Sequence, residues 1–402
     1  MNQNRTTRNG TSRTWRPGMR FTPAVLVVAV VGIVVWANAG SLNPPPGAIT
    51  ATQRTPVSST TTPGDGDSSY RIAAPGSYYL TGNITGVSGK HGIQIEASGV
   101  TLDLMGFDLV GVSGSLDGVS VSFALTTNIA VVNGSVRYWT GIGVDLAQAY
   151  NTRLADLRVS NNLLGIEAGR NAVVTGCAVY QNGANGGIYV GRYGSVTNCS
   201  AYENAGTGIE IGYGSTISNC SSRLNTDNGI DAEGATVTNC SAYDNGGMGI
   251  YTSSGSTVTN CSSSNNGAQG IYVSYGSTIT NCSADQNTGD GIRVSSGCTV
   301  RGNTCRGNGY LTGDGAGIHA TGDDNRIEGN NCTVNDRGID VDLAGNFITR
   351  NTCSGNTTDW DIVANNVYGP ILDRRAPASA AVLGVSGPGS LGTTDPNANF
   401  TY

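Results

Sequence analysis

Between Val173 and Asp290 the chain repeats itself about every 21 residues, with Cys177, Cys199, Cys220, Cys240, Cys261 and Cys282 in one column. A unit this short cannot bury its own apolar face, so neighbouring units must stack on one another. Representative units read SVTNCSAYENAGTGIEI, TVTNCSAYDNGGMGIYT and TITNCSADQNTGDGIRV. Short runs alternate small apolar and polar residues, are rich in Val, Ile and Thr, and are punctuated by Gly and Asn. No run carries a helical period long enough for a helical repeat. In the unit Thr236 to Thr252, Val237, Cys240 and Ala242 are expected to point inward, Asn239 to turn the chain, Asn245 to begin a loop, and Gly249 to open the strand Ile250–Tyr251–Thr252. The expectation is an all-β parallel solenoid with three short strands per coil. Asn198, Asn219, Asn239, Asn260 and Asn281 precede the Cys column because Asn tolerates the left-handed backbone of a tight bend. Stacked Asn side chains can also hydrogen-bond from coil to coil.

The period runs beyond the Cys column. Gly-Ile or Gly-Val recurs at Gly92, Gly118, Gly141, Gly165, Gly187, Gly208, Gly229, Gly249, Gly270, Gly291, Gly317 and Gly338, and Asp359–Trp360–Asp361–Ile362 is a degenerate copy. This predicts about 12–13 coils, a rod roughly 60 Å long at the spacing of paired strands. Right-handed coiling is the default for parallel crossovers. Past Gly291 an insertion around residues 308–316 precedes Gly317–Ile318–His319, and Cys moves two places along the unit at Cys305, Cys332 and Cys353. A shift of two keeps the side chain on the inner face.

These Asn-Cys-Ser and Gly-Ile-x-Val units resemble the short repeats of the single-stranded right-handed parallel β-helix family, the pectin-lyase-like fold, over roughly Tyr70 to Gly369. The opening TTPGDGDSSYRIAAPGSYYLTGNITGVSGKHGIQI and the ending TTDPNANFTY are similar to a recurrent group of secreted bacterial β-helix proteins. The resemblance implies a fold and leaves the chemistry open. In the enzymes of this fold the sheet beginning at Gly-Ile carries the active cleft. A polygalacturonase-like pattern would bring Gly-His-Gly and Arg-x-Lys, whereas this chain has Gly317–Ile318–His319 and a single Lys, Lys90.

Five Arg and no acid in residues 1–20 precede the uncharged stretch Phe21 to Ala39, which ends in Ala37–Asn38–Ala39. Residues 1–39 therefore read as a secretory signal peptide or an uncleaved N-terminal anchor, with Met19 as an alternative start. Residues 40–69, rich in Pro, Thr and Ser, read as a linker, residues 70–369 as the β-helix, and residues 370–402 as a Gly-, Pro- and Ala-rich tail. Within this reading Tyr70 to Leu80 caps the open end of the coil. Loss of the five leader Arg carries the net charge from −6 to −11. An acidic, exported chain excludes nucleic acid as a partner and limits membrane contact to the N-terminal segment. Nine of the ten Cys fall on the inner face, where they read as a stack of buried thiols acting as small hydrophobes.

In Gly-Ile-x-Val the x residue points outward, and successive x residues form one exposed stripe: Gln94, Ser120, Gly143, Glu167, Tyr189, Glu210, Asp231, Tyr251, Tyr272, Arg293, His319, Asp340 and Asp361. Tyr rings among carboxylates suit sugar rings, which stack an apolar face and offer hydroxyls. Glu167, Tyr189, Glu210, Asp231, Tyr251, Tyr272 and Arg293 are accordingly the candidate polysaccharide-binding residues. Glu210, Asp231 and Glu233 form an acidic cluster with oxygen ligands suited to Ca²⁺, the one cofactor the sequence suggests. His319, with Asp340 beside it and Asp314 in the inserted loop, is the candidate acid–base group. The expected function is an exported surface or extracellular module that binds polysaccharide or cell-envelope components. The alternative is a polysaccharide lyase or glycoside hydrolase centred on His319.

Overall fold

The computed structural model describes residues 54–122, 125–309, 315–373 and 394–402, all within the compact unit Thr52–Tyr402. Every regular element among them is a β-strand. The coil predicted at Thr236 to Thr252 is built from strands Thr236–Thr238, Ser241–Tyr243 and Ile250–Thr252. Val237, Cys240, Ala242 and Ile250 are buried, as the alternation requires. Each strand pairs in parallel with its counterpart one coil on: Val237 with Val258, Ala242 with Ser263, Ile250 with Ile271. The result is a parallel β-solenoid whose core is a column of Ile, Val, Ala and Cys.

The strands that carry the stripe stack into a sheet of fourteen, from Ser68–Ile72 to Thr358–Ile362. That is one coil more than the Gly-Ile count suggests, because the first strand, SSYRI, lacks the dipeptide. Tyr70 to Leu80, expected as a cap, is this first coil: Tyr70 pairs with Ile93 and Tyr78 with Leu102. Cover for the sheet edge comes from further upstream. Thr55–Pro56 pair with Tyr78–Tyr79, Val57 is buried, and Pro63 bridges Tyr70 in the antiparallel sense. Packing against the rod thus begins inside the Pro/Thr/Ser-rich segment, whose polar composition masks it. At the other end Asn399–Thr401 pairs with Thr352–Cys353 and with Ile371–Asp373. The leader at residues 1–39 lies outside the described residues, and among those described no helix is long and apolar enough to cross a membrane.

Two of the Asn columns do different work. Those before Cys hold the bend, with φ of 54° at Asn239 and Asn260 and 55° at Asn198, Asn219 and Asn281, and they face solvent. A second column, which includes Asn245, is buried. From Asn162 to Asn356, ten asparagines are joined by nine Nδ2–H to Oδ1 hydrogen bonds of 2.9–3.1 Å. Asn245 Oδ1 also accepts from the backbone N–H of Asn225, at 3.2 Å, and its Nδ2 donates to the Ser222 carbonyl at 3.1 Å. This column explains the glycine of Gly-Ile. A Cβ at Gly229 would stand 2.6 Å from Asn245 Nδ2, so any side chain there would displace the amide.

All ten Cys are buried free thiols. After Cys282 the column continues as Asn303, Asn330 and Asn351, with the Cys282 N–H donating to Asn303 Oδ1 at 2.8 Å. Cys305, Cys332 and Cys353 instead take the inward place of Ala284, as the two-residue shift requires. A thiol fills this position as a small apolar group.

Candidate functional site

The stripe is real and in register. Glu167 lies opposite Tyr189, Tyr189 opposite Glu210, Glu210 opposite Asp231, Asp231 opposite Tyr251, Tyr251 opposite Tyr272, and Tyr272 opposite Arg293. Arg293 then meets His319, His319 meets Asp340, and Asp340 meets Asp361. Ser120 and Asp340 stand in the stripe's register but are buried, and one further member is misplaced. Gly143 is buried and points inward, and Asp145 occupies the stripe, opposite both Ser120 and Glu167. Gly141–Ile142 and Gly143–Val144 both fit the motif two residues apart, and a shift of two preserves the alternation, so the pattern alone cannot choose between them.

The middle of the stripe is aromatic and acidic. The Tyr251 and Tyr272 rings lie 5.6 Å apart with planes tilted by 56°, and the Arg293 guanidinium sits 5.9 Å from the Tyr272 centroid. Glu210 and Asp231 share the flat face with few counter-charges. Burial, followed by the charge of Glu210, pushes the Asp231 carboxyl up to about 6, although Asn228 Nδ2 donates to it at 3.5 Å. Burial and then Glu233 likewise hold Glu210 above the usual range. Glu233 is exposed, two residues beyond Asp231.

The densest chemistry is four coils beyond Asp231. His319 is bonded at both ring nitrogens, Nδ1 to Asp290 Oδ2 at 3.1 Å and Nε2 to Asp342 Oδ2 at 3.1 Å. Asp340, its expected companion, is farther away, 3.8 Å from Nε2, and pairs with Arg337 at 3.2 Å. Asp314 lies outside the described residues. Burial alone would lower the His319 pKa, but the carboxylates of Asp290, Asp340 and Asp342 outweigh it and raise the value to about 9. The ring is therefore an imidazolium at neutral pH, equipped to donate a proton. Asp290 was not singled out by the sequence pattern, because it precedes Gly291 instead of standing on the stripe. Its side chain is buried and fixed by the Ala316 N–H, 2.8 Å from Oδ1, and by Arg293, 3.6 Å from Oδ2. The clue lay one column over: Asp117 and Asn228 hold the same place before Gly and also accept a backbone N–H from the next coil.

Among the described residues, His319, Asp340 and Asp342 are the group whose ligand atoms all lie within 4.8 Å of one another. One nitrogen and two carboxylates suit a transition metal better than Ca²⁺, which prefers oxygen alone. The other histidine, His91, opens the strand His91–Ile95 with Nδ1 3.1 Å from Asp117 Oδ2. A groove of about 920 Å³ runs along the Asn-Cys-Ser corner from Asn198 to Thr304 and is lined by uncharged residues. Its walls are Asn, Cys, Ser, Gly and Thr, with no carboxylate, imidazole or guanidinium among them.

The sequence profile of the right handed beta helix region family matches residues 181–308. No curated protein sequence matches the chain. Among solved structures, the A-module of the Azotobacter vinelandii mannuronan C-5 epimerase AlgE4 is 16% identical, with a TM-score of 0.51 over 73% of this chain and 91% of that one. A double mutant of the periplasmic alginate epimerase AlgG is 13% identical, with a TM-score of 0.51 over 75% of this chain and 83% of that one. At such identities the likeness is one of fold. The chain is a right-handed parallel β-helix.

Proposed function

We propose that this protein binds an extended polysaccharide along the exposed stripe, as a module of the cell surface or extracellular space. The observation that carries the reading is the in-register run Glu167, Tyr189, Glu210, Asp231, Tyr251, Tyr272 and Arg293, which sets stacking faces and hydrogen-bonding groups in one line. A linear ligand with a repeating unit matches such a ladder; a compact ligand does not. The two solved epimerases named above act on mannuronan or alginate, a likeness of fold that agrees with the reading. The test is a glycan array read with and without Ca²⁺, on the parent and on Tyr251→Ala/Tyr272→Ala. Loss of binding in the double variant, with unchanged melting, is the expected result, and unchanged binding removes the stripe. Loss of binding on chelation would show a Ca²⁺ requirement, and its disappearance in Glu210→Ala/Asp231→Ala would assign the ion to those carboxylates.

A second reading rests on His319. An imidazolium held between Asp290 and Asp342, beside Asp340, has the makings of a general acid for a lyase or glycoside hydrolase. Depolymerisation that is abolished in His319→Ala, with the fold intact, would establish it.

A further inference from the structure

Where strand Leu164–Ala168 meets strand Ile188–Val190, the stripe opens into a cavity of about 420 Å³ whose walls include Tyr150, Glu167, Arg170, Tyr189 and Arg192. The two turns that leave these strands carry Gly169–Arg170 and Gly191–Arg192 one coil apart, and the Asn171 N–H donates to the Arg192 carbonyl at 3.0 Å. Two exposed guanidiniums therefore project from the same corner of adjacent coils. Arg54, Arg71, Arg137, Arg293, Arg306 and Arg326 each have an acidic partner. Arg170 and Arg192, like Arg153, Arg158, Arg223 and Arg301, have none within 4 Å among the described residues, and these two stand on adjacent coils in the wall of one cavity. Adjacent like charges repel, and an anion between them relieves the repulsion. Gly212 on the next coil lets the two turns stack closely: a Cβ there would come 3.0 Å from the Arg192 backbone N and 3.3 Å from its Cγ.

We infer that this cavity is a subsite for an anionic sugar unit, one bearing a carboxylate or a sulfate. Arg170 and Arg192 clamp the anion, Tyr189, a residue 37% exposed, offers its ring, and half-buried Glu167 meets the hydroxyls. The volume falls within the usual range for small-ligand sites, roughly 300–1,000 Å³. Because the guanidiniums stand at the turn and the carboxylates on the strand, the charged substituent points to the corner and the polymer axis follows the stripe. The inference rests on the polysaccharide reading and narrows its substrate class.

The test is calorimetric or fluorescence binding of the full chain to three oligosaccharides of equal length: a uronate oligomer, a sulfated glucan and a neutral glucan. The parent is expected to prefer one or both charged oligomers, with affinity falling as salt rises. Arg170→Gln/Arg192→Gln should weaken that binding about tenfold or more and flatten its salt dependence, leaving neutral-glucan affinity and melting temperature unchanged. Equal affinity of parent and variant for the charged oligomers overturns the subsite. Neutral binding without charged binding overturns it too, while sparing the wider reading. Binding of none of the three defeats both.

Discussion

Single side chains on this rod are governed by which coil stacks above and below them. His319 is the clearest case, since its three nearest carboxylates come from the coils on either side. Its pKa of about 9 lies above the free value of 6.5, so the folded state holds the proton more tightly than the unfolded chain. The stability this supplies is complete below pH 6.5 and is lost as pH rises through about 9. His319→Gln should thus lower the melting temperature at pH 6 and do so much less at pH 10, and equal shifts at both would show the charge to be irrelevant. Asp231 has the opposite consequence at neutral pH. Its pKa, raised to about 6, means the fold favours the protonated acid, so stability is present below pH 3.8 and declines as pH rises through 6. Asp231→Asn is expected to raise the melting temperature at pH 8 and to leave it unchanged at pH 3.5. The stripe that contains both residues could be read from alternation alone. Asp290 could not, because its role depends on the Ala316 N–H one coil away, and no periodicity of two reports that.

The strands are three residues long in most coils and have little independent stability, so the turns between them decide the fold. Exposed Asn239 serves the bend by its φ of 54°, a backbone role that Gly fills equally well. Buried Asn245 serves by its amide, bonded to Asn225, Asn266 and the Ser222 carbonyl. Asn239→Gly should therefore change stability by less than about 1 kcal/mol, whereas Asn245→Ala should cost about 2–4 kcal/mol by leaving buried polar groups unpaired. Urea denaturation midpoints separate the two, and similar losses would show the columns to be equivalent. Both columns are plain as Asn recurrences. Their division of labour was hidden because a tight bend and a buried amide ladder select the same residue, and only the position of Gly229 against Asn245 tells which needs the amide.

For the whole rod, contacts run between neighbouring coils, so excising one coil in phase should leave the rest intact. Thr236 and Thr257 are register partners, and removing residues 236–256 joins equivalent points. That deletion is expected to give a folded protein with an unchanged β-type circular dichroism signature per residue and a modestly lower unfolding midpoint. Removing residues 236–246 breaks the register and should prevent cooperative unfolding; a cooperative transition in that variant would count against nearest-neighbour assembly. The coil count was legible to within one or two from Gly-Ile, and the miss at SSYRI arose because an end coil has a neighbour on only one side to satisfy.

The buried amide ladder also has a direction. It starts where the Trp139 N–H reaches Asn162 Oδ1, every Asn then hands its amide hydrogen to the next coil, and it ends where Asn356 Nδ2 meets Asp359 Oδ1 at 2.9 Å. Even across the insertion the hand-over from Asn308 to Asn335 holds at 3.0 Å. A coil copied in the same orientation fits anywhere along such a chain, and an inverted one fits nowhere. The rod can lengthen only by tandem duplication, and its length comes in whole graduations of about 4.8 Å, like the marks on a ruler.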